Sequence, residues 1–236
     1  MKKDTWVGFL PFYLLVTILV IGAIFGSSHA VTTINESSFQ QERICYIIDA
    51  GHGGIDGGAT SCTDVLESAL NLEISLRLDD LMHFLGYRTK MIRTTDTSIY
   101  TQGNTIAAQK VSDLKERVRI VNESENNVLI SIHQNTFSDS QYSGAQVFYS
   151  PGNTERVMAQ SLQNNLNQFL NLKSQRKPKI GEGIYLLQHI SRPGVLIECG
   201  FLSNPEEEAK LRNDTYQKKL CAVIATSITR FLTAEN

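Results

Sequence analysis

Short apolar runs that end in chemically active residues alternate along this chain with longer stretches where leucine or isoleucine recurs every three or four positions. Residues 44–48 (ICYII) form the first run, closed by Asp49 and a glycine-rich segment over 51–58. That is the appearance of a strand buried on both faces and followed by a tight loop. Leu66, Leu70, Ile74, Leu78, Leu81 and Leu85 then trace one face of a helix that Gly86 stops. The same reading predicts a strand over 87–93, a helix over 114–122 and a third strand over 128–133. A strand over 144–149, a helix over 156–170, and strands over 184–187 and 195–199 follow. The polar stretch 94–111 reads as a long loop that can border a groove. Ser203-Asn204-Pro205 ahead of Glu206, Glu207 and Glu208 joins a capping residue, an early proline and acids at the positive end of a helix dipole. Tyr216, Leu220, Ile224 and Ile228 mark a last amphipathic helix. Strands and helices in alternation predict a single α/β domain, with a mostly parallel twisted sheet of about six strands flanked by helices.

The first 30 residues follow a different pattern. Lys2 and Lys3 precede an uncharged, mostly apolar stretch over 6–25, and Ser28-His29-Ala30 comes after it. This is an export signal, either a cleaved signal peptide or a retained membrane anchor, with the rest of the chain outside the cytoplasm. Residues 31–42 are polar and unpatterned and read as a linker, which leaves 43–236 as the folded domain. Contact with a membrane is expected only through the leader.

Composition narrows the function by exclusion. The formal charge of -2 over 236 residues lacks the basic excess of a nucleic-acid-binding surface. Four cysteines, Cys45, Cys62, Cys199 and Cys221, are even in number in an exported chain, which leaves disulfides open. Cys45 and Cys199 lie in apolar runs, however, and read as buried small hydrophobes. No CxxC pair is present, and no metal role is assigned to them.

Ligands of open α/β sheets sit outside the carboxyl ends of the strands, so polar residues at strand ends are the candidates for chemistry. His52 follows the first strand in a glycine-rich turn that lacks the Gly-Lys-Ser/Thr and GxGxxG signatures of phosphate loops. It is either a hydrogen-bonding loop residue or a ligand. His133 emerges from the third strand, as a satisfied core histidine or a site residue. Glu67 fits a capping box with Asp64, yet two histidines and one carboxylate also form a common set for catalytic zinc. Glu198 is the single carboxylate in the apolar run 195–202. Either an ion pair with Arg93, Arg117 or Arg192 keeps it there, or burial raises its pKa for work as a general base and acid.

The segments DAGHGGIDGGA (49–59), the Glu67 helix, SIHQN (131–135) and PGVLIECGFLSNP (193–205) occur in one order over about residues 44–231. Together they resemble the zinc-dependent N-acetylmuramoyl-L-alanine amidases. GIYLLQ (183–188), the Asn204-Pro205-Glu206 region and a compact domain without wall-binding repeats resemble the germination-specific, spore-cortex branch of that family. The resemblance implies one zinc ion held by His52, Glu67 and His133, with Glu198 as the catalytic carboxylate. Asp49, which either orients the loop or a ligand imidazole or caps backbone, and Asn135 are candidate supporting residues. It implies peptidoglycan as substrate, cut at the amide between N-acetylmuramic acid and L-alanine. In the spore cortex this step precedes formation of muramic-δ-lactam, which germination lytic enzymes recognise. The implied location is extracytoplasmic, in the cortex or between the membranes of the developing spore.

Ser68 stands where the family usually has lysine, and Ala69 where an acid is common. This altered surround of Glu67 predicts weaker zinc binding and a zinc-stabilising or activating protein partner. Two other readings compete. One is a zinc peptidase acting within the stem peptide, although the helix-borne HExxH is absent. The other is a non-catalytic domain binding the wall or a partner, against which the intact His52, Glu67, His133 and Glu198 argue. The basic cluster Lys173, Arg176, Lys177 and Lys179 reads as a solvated loop rather than a contact with anionic wall polymer.

Overall fold

A computed structural model describes residues 44–171 and 175–234. The leader, the linker and Lys173 lie outside the described residues. Six strands form one sheet: β1 (Cys45–Ala50), β2 (Arg88–Met91), β3 (Asn127–Asn135), β4 (Gln146–Tyr149), β5 (Lys179–Ile180) and β6 (Gly194–Phe201). Their spatial order is β2-β1-β3-β6-β4-β5. The pairs β1–β2, β1–β3 and β3–β6 are parallel, whereas β4 runs antiparallel to β6 and carries β5 beside it. The sheet is therefore mostly parallel with a reversed edge, as the alternating pattern predicts.

Alternation in β1 explains why both faces are covered. Tyr46 and Ile48 enter the larger core, with helices α1 (Glu67–Phe84), α3 (Asn153–Phe169) and α6 (Asp214–Ala234). Cys45 and Ile47 enter a smaller core, where α2 (Ile106–Asn122) and the short α4 (Tyr185–His189) contribute Ile120, Val121, Leu186 and Leu187. Every residue of β1 is buried, which is why its sequence is a continuous apolar run. Cys45, Cys199 and Cys221 are buried, Cys62 is exposed, and all four are free thiols. Helix α5 (Pro205–Leu211) starts as its sequence indicates: Asn204 is the cap, accepting from Glu206 N at 2.9 Å and Glu207 N at 3.1 Å. Among the described residues no helix is long and apolar enough to cross a membrane.

Three sequence-based expectations differ from the structure. Residues 184–187 are not a strand: Gly183 has φ +82° and the chain enters α4, which turns Leu186 and Leu187 into the smaller core. Four apolar residues do not distinguish a strand from one helical turn. The remaining strand is instead β5, two exposed residues paired with Phe148 and Tyr149 and lacking any apolar signal. The loop predicted over 94–111 is shorter, because α2 begins at Ile106 behind the cap of Thr105, whose side chain accepts from Ala108 N. Its first turns bury only Ser112, so they carry no apolar stripe.

Candidate metal centre and general base

The loop after β1 begins with a packing constraint. A Cβ on Gly51 would overlap the imidazole of His133, so only glycine lets the loop lie against that ring. His52 follows in the left-handed region at φ 61°, a strained conformation for a non-glycine residue that the surroundings must hold. They do so through two buried arginines. Arg117 pairs with the buried Asp49 and donates to the carbonyls of Ala50 (3.0 Å) and His52 (2.7 Å). Arg93 donates to the carbonyls of Ala50 (2.8 Å), Gly51 (3.0 Å) and Ser68 (2.8 Å). The clamp on three successive carbonyls fixes the loop, and it engages two of the three arginines that the sequence offered as partners for Glu198. Asp49 also accepts from Ser131 Oγ at 2.6 Å. Burial opposes its charge, but Arg117, His133 and Ser131 together outweigh burial and hold its carboxyl below the usual range. Asp49 thus supports the loop through Arg117 rather than by touching an imidazole.

Glu67 is the first residue of α1, and the capping box is not formed. The cap position is Leu66, which has no side-chain bond, and Asp64 sits at φ 64°, outside any capping geometry. The Glu67 carboxylate is 4% exposed and faces a different set of groups. Oε2 accepts from Ala59 N at 3.0 Å and lies 3.3 Å from His52 Nε2. Oε1 accepts from Gln134 N at 3.1 Å and Asn71 Nδ2 at 3.2 Å, and lies 3.0 Å from His133 Nδ1. A Cβ on Gly58 would sit 2.6 Å from Glu67 Oε2 and 2.8 Å from His52 Cδ2, so a second glycine is required here.

One donor atom from each of His52, Glu67 and His133 falls within 4.8 Å of the others. Two imidazoles and a carboxylate are the donor set of many catalytic zinc sites. Asp56 Oδ2 engages His52 Nδ1 at 2.9 Å, which turns Nε2 toward Glu67, and Lys110 Nζ holds the other Asp56 oxygen at 2.7 Å. Burial works against charge on His52, but Glu67 and Asp56 outweigh it and raise its pKa to about 9. For Glu67, burial is likewise outweighed by the two imidazoles, and its carboxyl stays ionised far below the usual range. The cluster favours positive charge at its centre and so fits a bound cation.

Glu198 is the register partner of His133 across β3 and β6. Its Oε2 is buried without a hydrogen-bond partner, and none of Arg93, Arg117 and Arg192 pairs with it. The ion-pair reading therefore does not hold. Burial is the main cause that lifts its pKa to about 7, with Glu67 adding to the rise and the two histidines opposing it. The carbonyl of Asn135 accepts from Leu202 N at 2.8 Å, next to an irregularity in register after His133. Sequence reasoning missed Asp56, Lys110, Asn71 and Gln134. Asp56 had a legible signal, an acid four residues after the loop histidine.

A family model described as N-acetylmuramoyl-L-alanine amidase matches residues 47–230. The chain belongs to this family. Among its relatives, the germination-specific N-acetylmuramoyl-L-alanine amidase of Bacillus subtilis (strain 168) is 39% identical over 193 residues, which are 81% of this chain and 80% of the relative. The CwlD amidase from Clostridioides difficile, solved in complex with the GerS lipoprotein, shares 36% identity at a TM-score of 0.77 and covers 81% of this chain and 99% of its own. An N-acetylmuramoyl-L-alanine amidase from Clostridium difficile 630 follows at 29% identity and a TM-score of 0.70, covering 82% and 98%. The amidase resemblance and its germination-specific branch are borne out.

The raised pKa of Glu198 has a consequence for stability. An unfolded glutamate titrates near 4.3, so between there and about 7 the folded protein keeps a proton that the unfolded chain has released. Stability from this group is complete below the unfolded pKa and is lost as pH rises through about 7. Relative to Glu198→Gln, the metal-free protein is expected to weaken from pH 5 to pH 8 by on the order of 3 kcal/mol. Urea unfolding of both proteins at the two pH values checks this, and a difference independent of pH would contradict it.

Proposed function

We propose that this protein is a zinc-dependent amidase of the spore cortex, cutting the amide between the lactyl group of N-acetylmuramic acid and the L-alanine of the stem peptide. The observation that carries the reading is the half-buried Glu198 carboxyl, whose Oε2 is buried without a partner among the described residues, on the strand beside the His52–Glu67–His133 cluster. Family membership over residues 47–230 supports the scissile bond, and the germination-specific relative at 39% identity supports the cortex. Removing the peptide frees the lactyl carboxyl, and a separate deacetylase would complete the muramic-δ-lactam.

His52, Glu67 and His133 would hold the ion. Bound there, zinc supplies Lewis acidity, polarising a carbonyl and making water acidic near neutral pH. Glu198 accepts a proton from the attacking water as its oxygen bonds to the lactyl carbonyl carbon. When the carbon–nitrogen bond breaks, the same carboxyl returns the proton to the alanine nitrogen, which leaves as an amine. A pKa of about 7 suits both directions of transfer near neutrality. Asp56 engages Nδ1 of His52 and so leaves Nε2, on the Glu67 side, as the atom that would hold the ion.

Export through the segment 1–30, as a cleaved signal or an anchor, would deliver the domain 43–236 to the space where cortex is made. A protein partner belongs to the proposal as well. The C. difficile CwlD amidase was solved with the GerS lipoprotein. In this chain, Ser68 next to Glu67 has a buried hydroxyl with no partner, which supports weaker intrinsic zinc binding.

Glu198→Gln is expected to lower turnover roughly 10²- to 10⁴-fold while zinc content stays at one per chain. Mass spectrometry of digested muropeptides should find free lactyl carboxyls and intact peptides headed by L-alanine. Cleavage inside the stem peptide would instead identify a peptidase. Asp56→Ala is expected to weaken zinc binding roughly 10- to 100-fold in a chelator competition titration. Unchanged affinity would remove Asp56 from the metal's support.

A further inference from the structure

Arg176 does not behave as part of a solvated loop. Its guanidinium lies over the ring of Phe201, 4.8 Å from the centroid, and its Nε donates to the carbonyl of Ser143 at 2.9 Å. The backbone beneath it is fixed by an amide ladder. Asn167 Nδ2 donates to Arg176 O at 2.7 Å, and Asn167 Oδ1 accepts from the side-chain amides of Gln163 and Asn171 at 3.1 and 3.0 Å. Gln146 Nε2 donates to Lys177 O at 2.6 Å. The terminal guanidinium nitrogens have no partner among the described residues. The nearby carboxylate of Glu207 accepts from Gly144 N at 2.8 Å and Phe201 N at 3.1 Å, both through Oε2, and acts on Arg176 through its charge without a hydrogen bond to the guanidinium. A guanidinium that is half-buried, held by its ε nitrogen and free at its fork is pre-organised for a planar oxyanion.

Its position relative to the catalytic carboxyl follows from the register. His133 lies opposite Glu198, and Glu198 opposite Gln146 on the antiparallel neighbour, so the two side chains of that last pair share a face. With strands about 4.8 Å apart and the Gln146 amide bridging to Lys177, the backbone at 176–177 lies on the order of 10 Å from Glu198. One extended residue spans about 3.5 Å, so this distance corresponds to about two to three residues of a peptide leaving the scissile bond. Exposed Phe137 and Tyr142, with ring centroids 4.7 Å apart, stand beside the Phe201 shelf and extend it.

We propose that Arg176 is a specificity-determining residue that receives, through its free fork, a carboxylate carried near the second or third residue of the peptide leaving group. The inference rests on the amidase reading given above. It makes the enzyme selective for stem peptides whose carboxylate is free over those in which it is a carboxamide.

The test compares two muramoyl-peptide substrates that differ only in that carboxylate or carboxamide, using zinc-loaded full-length protein. Wild type is expected to prefer the free carboxylate roughly 10- to 100-fold in kcat/KM, mainly through KM. Arg176→Gln should erase the preference by lowering kcat/KM for the carboxylate substrate alone, with zinc content and melting temperature unchanged. Arg176→Lys keeps the charge without the fork and should keep a smaller preference, which carries the test if the Gln variant is unstable. Equal losses on both substrates, or a preference ratio equal to that of wild type, would overturn the proposal. If wild type releases peptide from neither substrate, the amidase reading itself fails, and this proposal with it.

Discussion

The carboxylate of Glu67 is the constraint on which the site depends. A nearly inaccessible anion is costly unless each oxygen is satisfied, and here both are. One oxygen is tied to the loop after β1 through Ala59 N, the other to the end of β3 through Gln134 N and to its own helix through Asn71. Three elements distant in sequence are thereby joined at one side chain, and the remaining capacity faces two imidazoles. The glycines at 51 and 58 follow from this closeness, because any side chain there would displace His133 or Glu67 itself.

Two glutamates in one pocket are driven in opposite directions by their surroundings. Glu67, between two imidazoles, stays charged well below the usual carboxylate range, while Glu198, whose Oε2 is buried without a partner among the described residues, is pushed up to about 7. Such a divergence supports the proposed division of work between chemically identical groups, one to hold a cation and the other to carry a proton. The arginine clamp makes the separation stable. Arg93 and Arg117 are engaged by backbone carbonyls and Asp49, and neither pairs with Glu198.

Much of this was legible in the sequence. The apolar runs ending in Asp49, His133 and Glu198 placed these residues at one rim because parallel strands present the same end, and β1, β3 and β6 are parallel neighbours. Glu67 was ambiguous because a helix start and a metal site call for the same residue type. The left-handed φ of Asp64, which rules out the capping box, depends on tertiary structure. Strand β5 and the first turns of α2 were invisible for a related reason: both are exposed, so neither carries the apolar periodicity that marks an element. The support around His52 was missed because Asp56, Asn71 and Gln134 act through contacts between separate segments, which no local pattern records.

The central claim is that Glu67, with His52 and His133, forms a metal centre rather than a helix cap or a structural ion pair. Zinc-edge X-ray absorption of protein loaded with one equivalent of zinc tests it most directly. The account predicts only nitrogen and oxygen neighbours at about 2.0–2.2 Å, with two imidazoles contributing, and loss of that signal in Glu67→Ala. A sulfur neighbour at about 2.3 Å, or an unchanged spectrum in Glu67→Ala, would contradict it.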